Sequence, residues 1–262
     1  QKAYSKQFLD IGIAESNMVS TAAGFSKVGY IPIVDTFAAF GITKGNLPLI
    51  MAALSQAPMI AVFSHAGFQD AADGASHHSL TYLAATSAIP HTKIIQISTS
   101  AEGEALMYQA IKQIAKDRES GKEANSYLFF VGRENFPTEI ATNLSYELGT
   151  HQTLKKGKDI AIISAGPTLF KALKAAEELE AQGISSTVIN QSSINQHDTK
   201  KLISEIKAAG NKIVTVEDHQ LIGGLGAQVI HALHQAGYHD FRATSLGVKG
   251  EFGQSAYQAD EL

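Results

Sequence analysis

The sequence contains no cysteine, which excludes disulfide bonds, thiolate nucleophiles and zinc sites built on thiolates. It also lacks a strong charge of either sign, because 21 lysines and arginines stand against 25 aspartates and glutamates. Nothing in this balance indicates a surface for nucleic acid. The most apolar window, residues 47–63, is interrupted by prolines and polar side chains and falls short of the ~18 apolar residues of a membrane span. We therefore expect a protein that binds neither nucleic acid nor membrane and works in the cytoplasm.

Short apolar runs alternate with helical patterns along the whole chain. A length of 262 residues favours two domains. The pattern predicts an α/β fold with two doubly wound, mostly parallel-sheet domains. The predicted strands are residues 8–13, 31–34, 59–63, 93–97, 127–131, 159–164, 186–189, 212–216 and 242–246. The predicted helices are residues 17–28, 46–54, 80–87, 101–116, 168–182, 198–209 and 224–236.

The boundary between the two domains is predicted from a loss of periodicity. Residues 132–158 lack a clear pattern and are interpreted as a linker, so the first domain covers residues 1–145 and the second residues 150–262. The chain begins with Gln1 rather than methionine and almost at once enters a predicted core strand. We therefore expect the natural chain to begin further upstream, with part of the first domain missing here.

Candidate binding residues follow predicted strands, where open α/β sheets bind their ligands. Glu15 comes directly after the first predicted strand and is either a first-turn acid favoured by the helix dipole or a catalytic group. Taken alone, the helix-dipole interpretation is favoured. Phe37 and Phe40 lie three residues apart in "DTFAAF" and share a face on a helical turn. They either pack in the core or form a platform for a flat heteroaromatic ring.

The most unusual loop is "SHAGFQDAADGASHH", residues 64–78, which follows a predicted buried strand. One interpretation is a metal site of histidine and aspartate ligands. The other is a substrate-binding and proton-shuttling cluster. Neighbouring side chains such as His77 and His78 point in different directions, which favours the second. The titratable residues of this loop are His65, Asp70, Asp73, His77 and His78.

Two further motifs follow strands later in the chain. "VGRENFP" places Arg133 after the strand at residues 127–131, either as a surface ion pair or as a fork for phosphate or carboxylate. "VEDHQLIGGLGAQV" carries Gly223, Gly224 and Gly226, which resemble half of a dinucleotide fingerprint. The full G-x-G-x-x-G spacing is absent, so a tight turn with close helix packing is favoured.

Together these motifs resemble, in order and spacing, the C-terminal section of transketolases, which are thiamine diphosphate enzymes. The resemblance covers nearly the whole chain, including "GPTLFKALKAAEELEAQGI". It implies a pyrimidine-binding domain followed by a transketolase C-terminal domain. The family's third domain holds the cofactor diphosphate through Mg²⁺, and its Gly-Asp-Gly segment does not occur in this sequence. The resemblance thus implies a split enzyme that shares its cofactor with a separate diphosphate-binding subunit, with two copies of each.

The resemblance also implies a role for each candidate residue. Glu15 matches the catalytic glutamate that hydrogen-bonds the cofactor's pyrimidine nitrogen, and Phe37 and Phe40 match the aromatic wall on that ring. The substrate residues matched are His65 and His77, which contact hydroxyls and the developing oxyanion, Asp73, which selects a hydroxyl configuration, and Arg133, which grips a sugar phosphate.

The implied reaction is transfer of a two-carbon ketol unit from a ketose phosphate to an aldose phosphate. Alternatives within the superfamily are the β-subunit of a 2-oxoacid dehydrogenase and a fragment similar to deoxyxylulose-phosphate synthase. Outside this chemistry, the chain could be a non-catalytic assembly subunit or a nicotinamide oxidoreductase that uses the glycines near Gly224.

Overall fold

The first half of the chain forms a parallel four-stranded sheet in the order β1-β2-β4-β3. The computed structural model describes residues 4–141 and 144–262. Helices lie between successive strands, as expected for a parallel sheet that is covered on its faces. In chain order the elements are α1 Glu15–Lys27, β1 Ile33–Phe37, α2 Ala38–Lys44, α3 Asn46–Leu54, β2 Ile60–Ser64, α4 Tyr82–Thr86, β3 Thr92–Gln96, α5 Ser100–Glu119 and β4 Ser126–Phe130.

The second half forms a five-stranded sheet in the order β5-β7-β6-β8-β9, in which only β5 is antiparallel to its neighbour. This arrangement confirms the predicted fold of two α/β units with mostly parallel sheets. The elements are β5 Gln152–Lys155, β6 Ile160–Ser164, α6 Thr168–Ala181, β7 Ser186–Asn190, α7 Thr199–Ala208, β8 Lys212–Gln220, α8 Leu225–Gln235 and β9 Arg242–Val248.

The two sheets are joined by one continuous apolar core. Buried side chains of the first half, such as Phe63 on β2 and Tyr82 on α4, belong to the same cluster as Ile163 on β6 and Leu225 on α8. Every residue of β4 is buried, as expected for a strand covered on both faces. The two halves therefore pack as one body around this cluster, which lets residues of the second half support a site on the first.

The predicted strand at residues 8–13 is wrong. No strand forms there, and Phe8, Leu9 and Ile13 are exposed. The backbone turns instead: Gly12 donates its N–H to Asp10 Oδ1 over 2.9 Å and adopts a φ of 73°. An aspartate that bonds the backbone two residues onward, followed by a left-handed glycine, interrupts an extended run.

The predicted linker is only partly irregular. Its last residues form β5, which pairs with β7, and Tyr146 and Leu148 pack against the core of the first sheet. The short strand escaped prediction because only Gln152 of its four residues is buried, so it carries no alternating pattern. Helix α2 was also missed, whereas the other helices and strands end within four residues of their predicted bounds.

No helix within residues 4–141 and 144–262 is long and apolar enough to cross a lipid bilayer.

Candidate active site

Three segments meet at one edge of the first sheet, where strands β1, β2 and β4 end. Phe37 is in register with Ser64 on the neighbouring strand, and Phe63 with Phe130 on the next. Because these strands are parallel, the residues that follow them emerge on the same side of the sheet. This places α2, the loop after β2 (residues 65–79, here called the β2 loop) and Arg133 around one site.

Four aromatic rings are packed together at this edge. Phe37 stacks on Phe40 with 6.2 Å between ring centroids and on His65 with 3.7 Å. Phe40 meets His77 edge-on, with 5.2 Å between centroids. Phe37 is 36% exposed and Phe40 is half-buried, so the pair is not part of the sealed core. Phe37 and Phe40 are close to parallel, at 23°, and offer an accessible aromatic surface of the kind that stacks on a heteroaromatic ring.

His65 has a strained backbone and a perturbed ring. Its φ of 59° is uncommon for a residue with a Cβ, and such strain persists only where the surroundings impose it. Ser64 Oγ lies 2.8 Å from Nδ1 of His65. Burial lowers the pKa of His65, while the nearby carboxylates of Asp70 and Asp73 act in the opposite direction. We infer that a neutral imidazole with a fixed orientation lies against Phe37 at neutral pH.

Arg133 reaches the site, but it is already paired. Its Nη1 lies 2.5 Å from Oδ1 of Asp70, whose side chain is fully buried, whereas the Arg133 side chain is 49% exposed. Asp70 was expected among the titratable residues of the β2 loop, without a role of its own. The sequence gives little indication that Asp70 is buried, because residue type alone does not distinguish a buried aspartate from an exposed one in an irregular loop.

The rest of the β2 loop divides its polar residues between solvent and interior. Asp73 is exposed at the start of a short 3-10 turn, Gly74–Ser76. His77 is half-buried, with Nδ1 2.9 Å from Ser76 Oγ. His78 is buried, and its Nε2 lies 3.1 Å from the carbonyl oxygen of Asp70. The side chains of the two adjacent histidines thus lie in different surroundings, as predicted. Among the residues that the structure describes, no three His, Asp or Glu side chains are grouped to hold a metal ion.

Glu15 opens helix α1 and is half-buried. It does not follow a strand, so the predicted placement at a strand end is wrong for this residue. The neighbouring Ser16 hydroxyl donates to the carbonyl oxygen of Lys44, which fastens the start of α1 to the end of α2. Glu15 therefore begins a helix that is bonded to the helix following Phe37.

The C-terminal half supports the β2 loop through Asp218, which sequence reasoning missed. Asp218 is buried and its Oδ1 accepts from Gln96 Nε2 at 3.0 Å and Tyr82 Oη at 3.2 Å. Its other oxygen faces Gly67, where a Cβ would overlap it. Burial raises the pKa of Asp218 to about 6. Two acids in a row within an otherwise apolar strand, "VTVED", were the signal in the sequence.

The glycines near Gly224 serve a tight turn, and no dinucleotide fingerprint is formed. Glu217 accepts from the backbone N–H of Leu225 at 2.6 Å and of Gly226 at 3.0 Å, at the start of α8. The helix N-terminus that a pyrophosphate would need is thus taken by a carboxylate of the same chain. The interpretation as a tight turn with close packing is confirmed, and the nicotinamide alternative loses its only motif.

The C-terminal segment, residues 249–262, also holds the β2 loop. Ala256 N donates to Ala71 O over 3.0 Å. Gly253 is so close to His78 that a Cβ would overlap the ring nitrogen Nδ1, and a Cβ at Gly74 would overlap the hydroxyl of Ser255. The loop with Asp73 and His77 is therefore fixed by contacts from the far end of the chain.

Replacing Asp218 with asparagine is expected to change how stability depends on pH. The folded protein holds the Asp218 proton up to a pKa of about 6, against an ordinary value of 3.8. The carboxyl therefore stabilises the fold at low pH, and this contribution is lost as pH rises through about 6. Asparagine does not titrate, so the variant should gain on the order of 2 kcal/mol relative to the unmodified protein between about pH 4.5 and 8. Urea unfolding of both proteins across this range measures the difference. A difference that stays constant with pH would contradict the assignment.

Comparison with known proteins identifies the family. Residues 1–120 match the transketolase pyrimidine binding domain, and residues 149–262 match the transketolase C-terminal domain. A putative transketolase C-terminal section from Methanocaldococcus jannaschii is 32% identical over 275 residues, covering all of this chain and 78% of that protein. The chain belongs to the transketolase family. The resemblance inferred from the sequence motifs is therefore confirmed.

Other transketolase-family proteins share the fold but differ in length. A solved structure described as "Split gene transketolase, inactive beta4 tetramer" superposes with a TM-score of 0.80 at 29% identity, over 95% of this chain and 78% of that one. A 1-deoxy-D-xylulose-5-phosphate synthase from Syntrophus aciditrophicus is 29% identical over 258 residues. Human transketolase-like protein 2 is 33% identical over 253 residues. This chain spans 38% of the length of each of these last two proteins.

The transketolase family implies thiamine diphosphate as cofactor, and the residues at the sheet edge fit its pyrimidine half. The stacked and partly exposed rings of Phe37 and Phe40 offer a face for a flat ring. Glu15 supplies a half-buried carboxyl on the adjoining helix. The fit is thus to the aromatic end of the cofactor, with stacking and one hydrogen-bonding acid.

Proposed function

We propose that this chain is the pyrimidine-binding subunit of a thiamine diphosphate-dependent transketolase. The reaction is transfer of a two-carbon ketol unit from a ketose phosphate to an aldose phosphate, in the cytoplasm. The observation that carries the proposal is the packing of Phe37, Phe40, His65 and His77 at one edge of the sheet. Two of these rings suit a flat cofactor ring and two carry nitrogens suited to substrate oxygens.

In this proposal Glu15 and the two phenylalanines hold the cofactor's pyrimidine ring. Phe37 and Phe40 orient the ring by stacking, and Glu15 shares a proton with its nitrogen. When bound, thiamine diphosphate supplies the nucleophilic carbon that carries the transferred unit.

The histidines then act on the sugar. His65 is kept neutral by burial, so its ring can hydrogen-bond a hydroxyl or a developing oxyanion without bringing a full charge. His77, held edge-on against Phe40, contacts the same end of the substrate. Exposed Asp73 accepts a hydrogen bond from a hydroxyl and so selects its configuration. Arg133 presents its remaining N–H donors to the phosphate end.

A separate subunit is proposed to hold the cofactor diphosphate and its Mg²⁺, in a complex with two copies of each chain. Two relatives support this division, since one is named a C-terminal section and the other a split gene product. Exposed apolar side chains support it too. Ile13, Leu47 and Leu54 are 101%, 68% and 75% exposed near the helix that carries Glu15. Large apolar side chains left exposed in this way are typical of a surface that a partner covers.

The similarity to a 1-deoxy-D-xylulose-5-phosphate synthase supports a second candidate, a subunit that forms that product. The run of Asp73 and Gly74 with His77, together with Arg133 at the phosphate end, favours ketol transfer between sugar phosphates. The two candidates share the cofactor and differ in substrate, so product analysis separates them.

Reconstitution tests the proposed function. The chain should be purified with a candidate diphosphate-binding subunit and supplied with thiamine diphosphate and Mg²⁺. The mixture should be screened with pairs of ketose and aldose phosphates and, separately, with pyruvate and glyceraldehyde 3-phosphate. We expect turnover only in the mixture, with two carbons moved between the sugars. The isolated chain should bind the cofactor weakly by calorimetry, because half of the expected contacts lie on the partner. Formation of 1-deoxy-D-xylulose 5-phosphate instead would favour the second candidate, and tight binding by the isolated chain would contradict the divided site.

A further inference from the structure

An open pocket of about 460 Å³ lies beside the aromatic site, next to the segment after β4. Arg133 lines it together with the polar side chains of Gln69, Glu134 and Asn135. The exposed ring of Tyr257, from the C-terminal segment, closes one side. The part of a sugar that extends away from the reacting carbons would enter this pocket, because Arg133 is the cation proposed to bind it.

The charge on Arg133 is compensated before any substrate arrives. Asp70 is fully buried and lies 2.5 Å from Nη1 of Arg133, so this carboxylate has no route to solvent. Its other oxygen has no hydrogen-bond partner among the described residues. Burial strengthens the field of the carboxylate at the guanidinium, since little water screens it. An incoming anion must therefore share Arg133 with a fixed negative charge.

A second carboxylate adds to this effect. Glu134 lines the same pocket, and its Oε2 lies 3.5 Å from Gln69 Nε2. Around the pocket, two acids thus accompany one arginine, a formal charge of about −1. A phosphate monoester carries about −1.5 to −2 charges at neutral pH, so both carboxylates repel it. A hydroxyl group is uncharged and is not repelled, and it can accept a hydrogen bond from an N–H of Arg133 that Asp70 leaves free.

We propose that Asp70 is a specificity-determining residue that lowers the preference of this enzyme for phosphorylated over unphosphorylated sugars. It does so by occupying one edge of Arg133 and cancelling part of its charge. The inference rests on the proposed function, because it concerns the far end of the same substrate. The substrate class that follows includes free aldoses as well as their phosphates.

Replacement of Asp70 by asparagine tests the inference in the reconstituted complex. Asparagine keeps the shape and removes the charge. The ratio of kcat/KM for glyceraldehyde 3-phosphate to kcat/KM for glyceraldehyde should rise on the order of tenfold. The change should appear as a lower KM for the phosphate, with the KM for glyceraldehyde nearly constant. A ratio that stays within about twofold or falls would overturn the inference.

A matched control separates the pairing from general charge. Glu134→Gln removes the same charge from the same pocket without touching the contact between Arg133 and Asp70. Because Glu134 is exposed, its effect on the ratio should be clearly smaller, within about threefold. An effect as large as that of Asp70→Asn would show that the net charge of the pocket matters and the pairing does not.

Two further measurements do not depend on turnover, and the second of them does not need the variant. Inorganic phosphate should bind the Asp70→Asn complex about tenfold more tightly than the unmodified complex by calorimetry, and equal affinity would overturn the inference even if no sugar is converted. If Asp70→Asn fails to fold, the inference is tested by the salt dependence of phosphate binding to the unmodified complex. Phosphate affinity should fall less than about twofold between low and physiological salt, since Arg133 is compensated, and a steep fall would overturn the inference.

Discussion

Replacing Glu15 with glutamine is expected to reduce turnover of the reconstituted enzyme by at least about 100-fold. Glutamine keeps the size and the helical position but cannot give or take a proton. In the proposed mechanism the carboxyl shares a proton with the cofactor's pyrimidine ring, which stacking on Phe37 and Phe40 holds in place. Steady-state kinetics of the complex with saturating cofactor and partner subunit measures the loss.

The same substitution separates catalysis from a role at the helix start. If Glu15 only favoured the dipole of α1, its loss would cost about 0.3–1 kcal/mol of stability and leave kcat unchanged. Glu104→Gln is a suitable control, because Glu104 is exposed near the start of α5 and lies outside the sheet edge. It should keep full activity. Retention of more than about a tenth of the turnover by Glu15→Gln would favour the non-catalytic assembly subunit.

Replacing Gly67 with alanine is expected to lower the free energy of unfolding by about 3 kcal/mol or more. Gly67 has a φ of 72°, which an alanine adopts only with strain. The new Cβ would also overlap Oδ2 of Asp218. That carboxyl cannot retreat easily, because Gln96 and Tyr82 hold its other oxygen. Urea unfolding of the isolated chain measures the change.

Gly183→Ala provides the control for backbone strain. Gly183 has a φ of 80°, and a Cβ there would meet no atom within 4 Å. Its substitution should cost only the conformational penalty, about 1–2 kcal/mol. The difference between the two variants isolates the contact between the β2 loop and the C-terminal half. Equal losses would mean that Asp218 does not constrain the loop.

The prediction for Gly67 concerns how the two halves of the chain together build the site. The first half of the chain supplies the aromatic rings and histidines, but the loop that carries His65 and His77 is held by the second half. Asp218 lies against Gly67, and Gly253 lies against His78. Both approaches leave no room for a side chain at the glycine. The C-terminal half thus acts on the site by positioning this loop.

The alternation of apolar runs and helical patterns was sufficient to predict two mostly parallel sheets. Buried strands such as β2 and β4 are largely apolar, and helices such as α5 carry one apolar face, so each leaves a recognisable pattern in the sequence. The motifs also identified the residues that follow strands. Phe37, His65 and Arg133 were correctly placed at the sheet edge because the ends of parallel strands share one side.

Strand pairing, burial and charge pairing depend on the tertiary structure and are not encoded in local sequence patterns. The apolar run at residues 8–13 resembles a strand, yet it contains a bonded turn at Asp10 and Gly12, and Phe8, Leu9 and Ile13 are exposed. Whether Asp70 and Asp218 are buried, and which groups they face, depends on segments 63 and 122 residues away. The sequence by itself determined the types of residue at the candidate site. Only packing decided that Arg133 is compensated and that the β2 loop is held from the C-terminal half, because burial and charge pairing arise between segments distant in the chain.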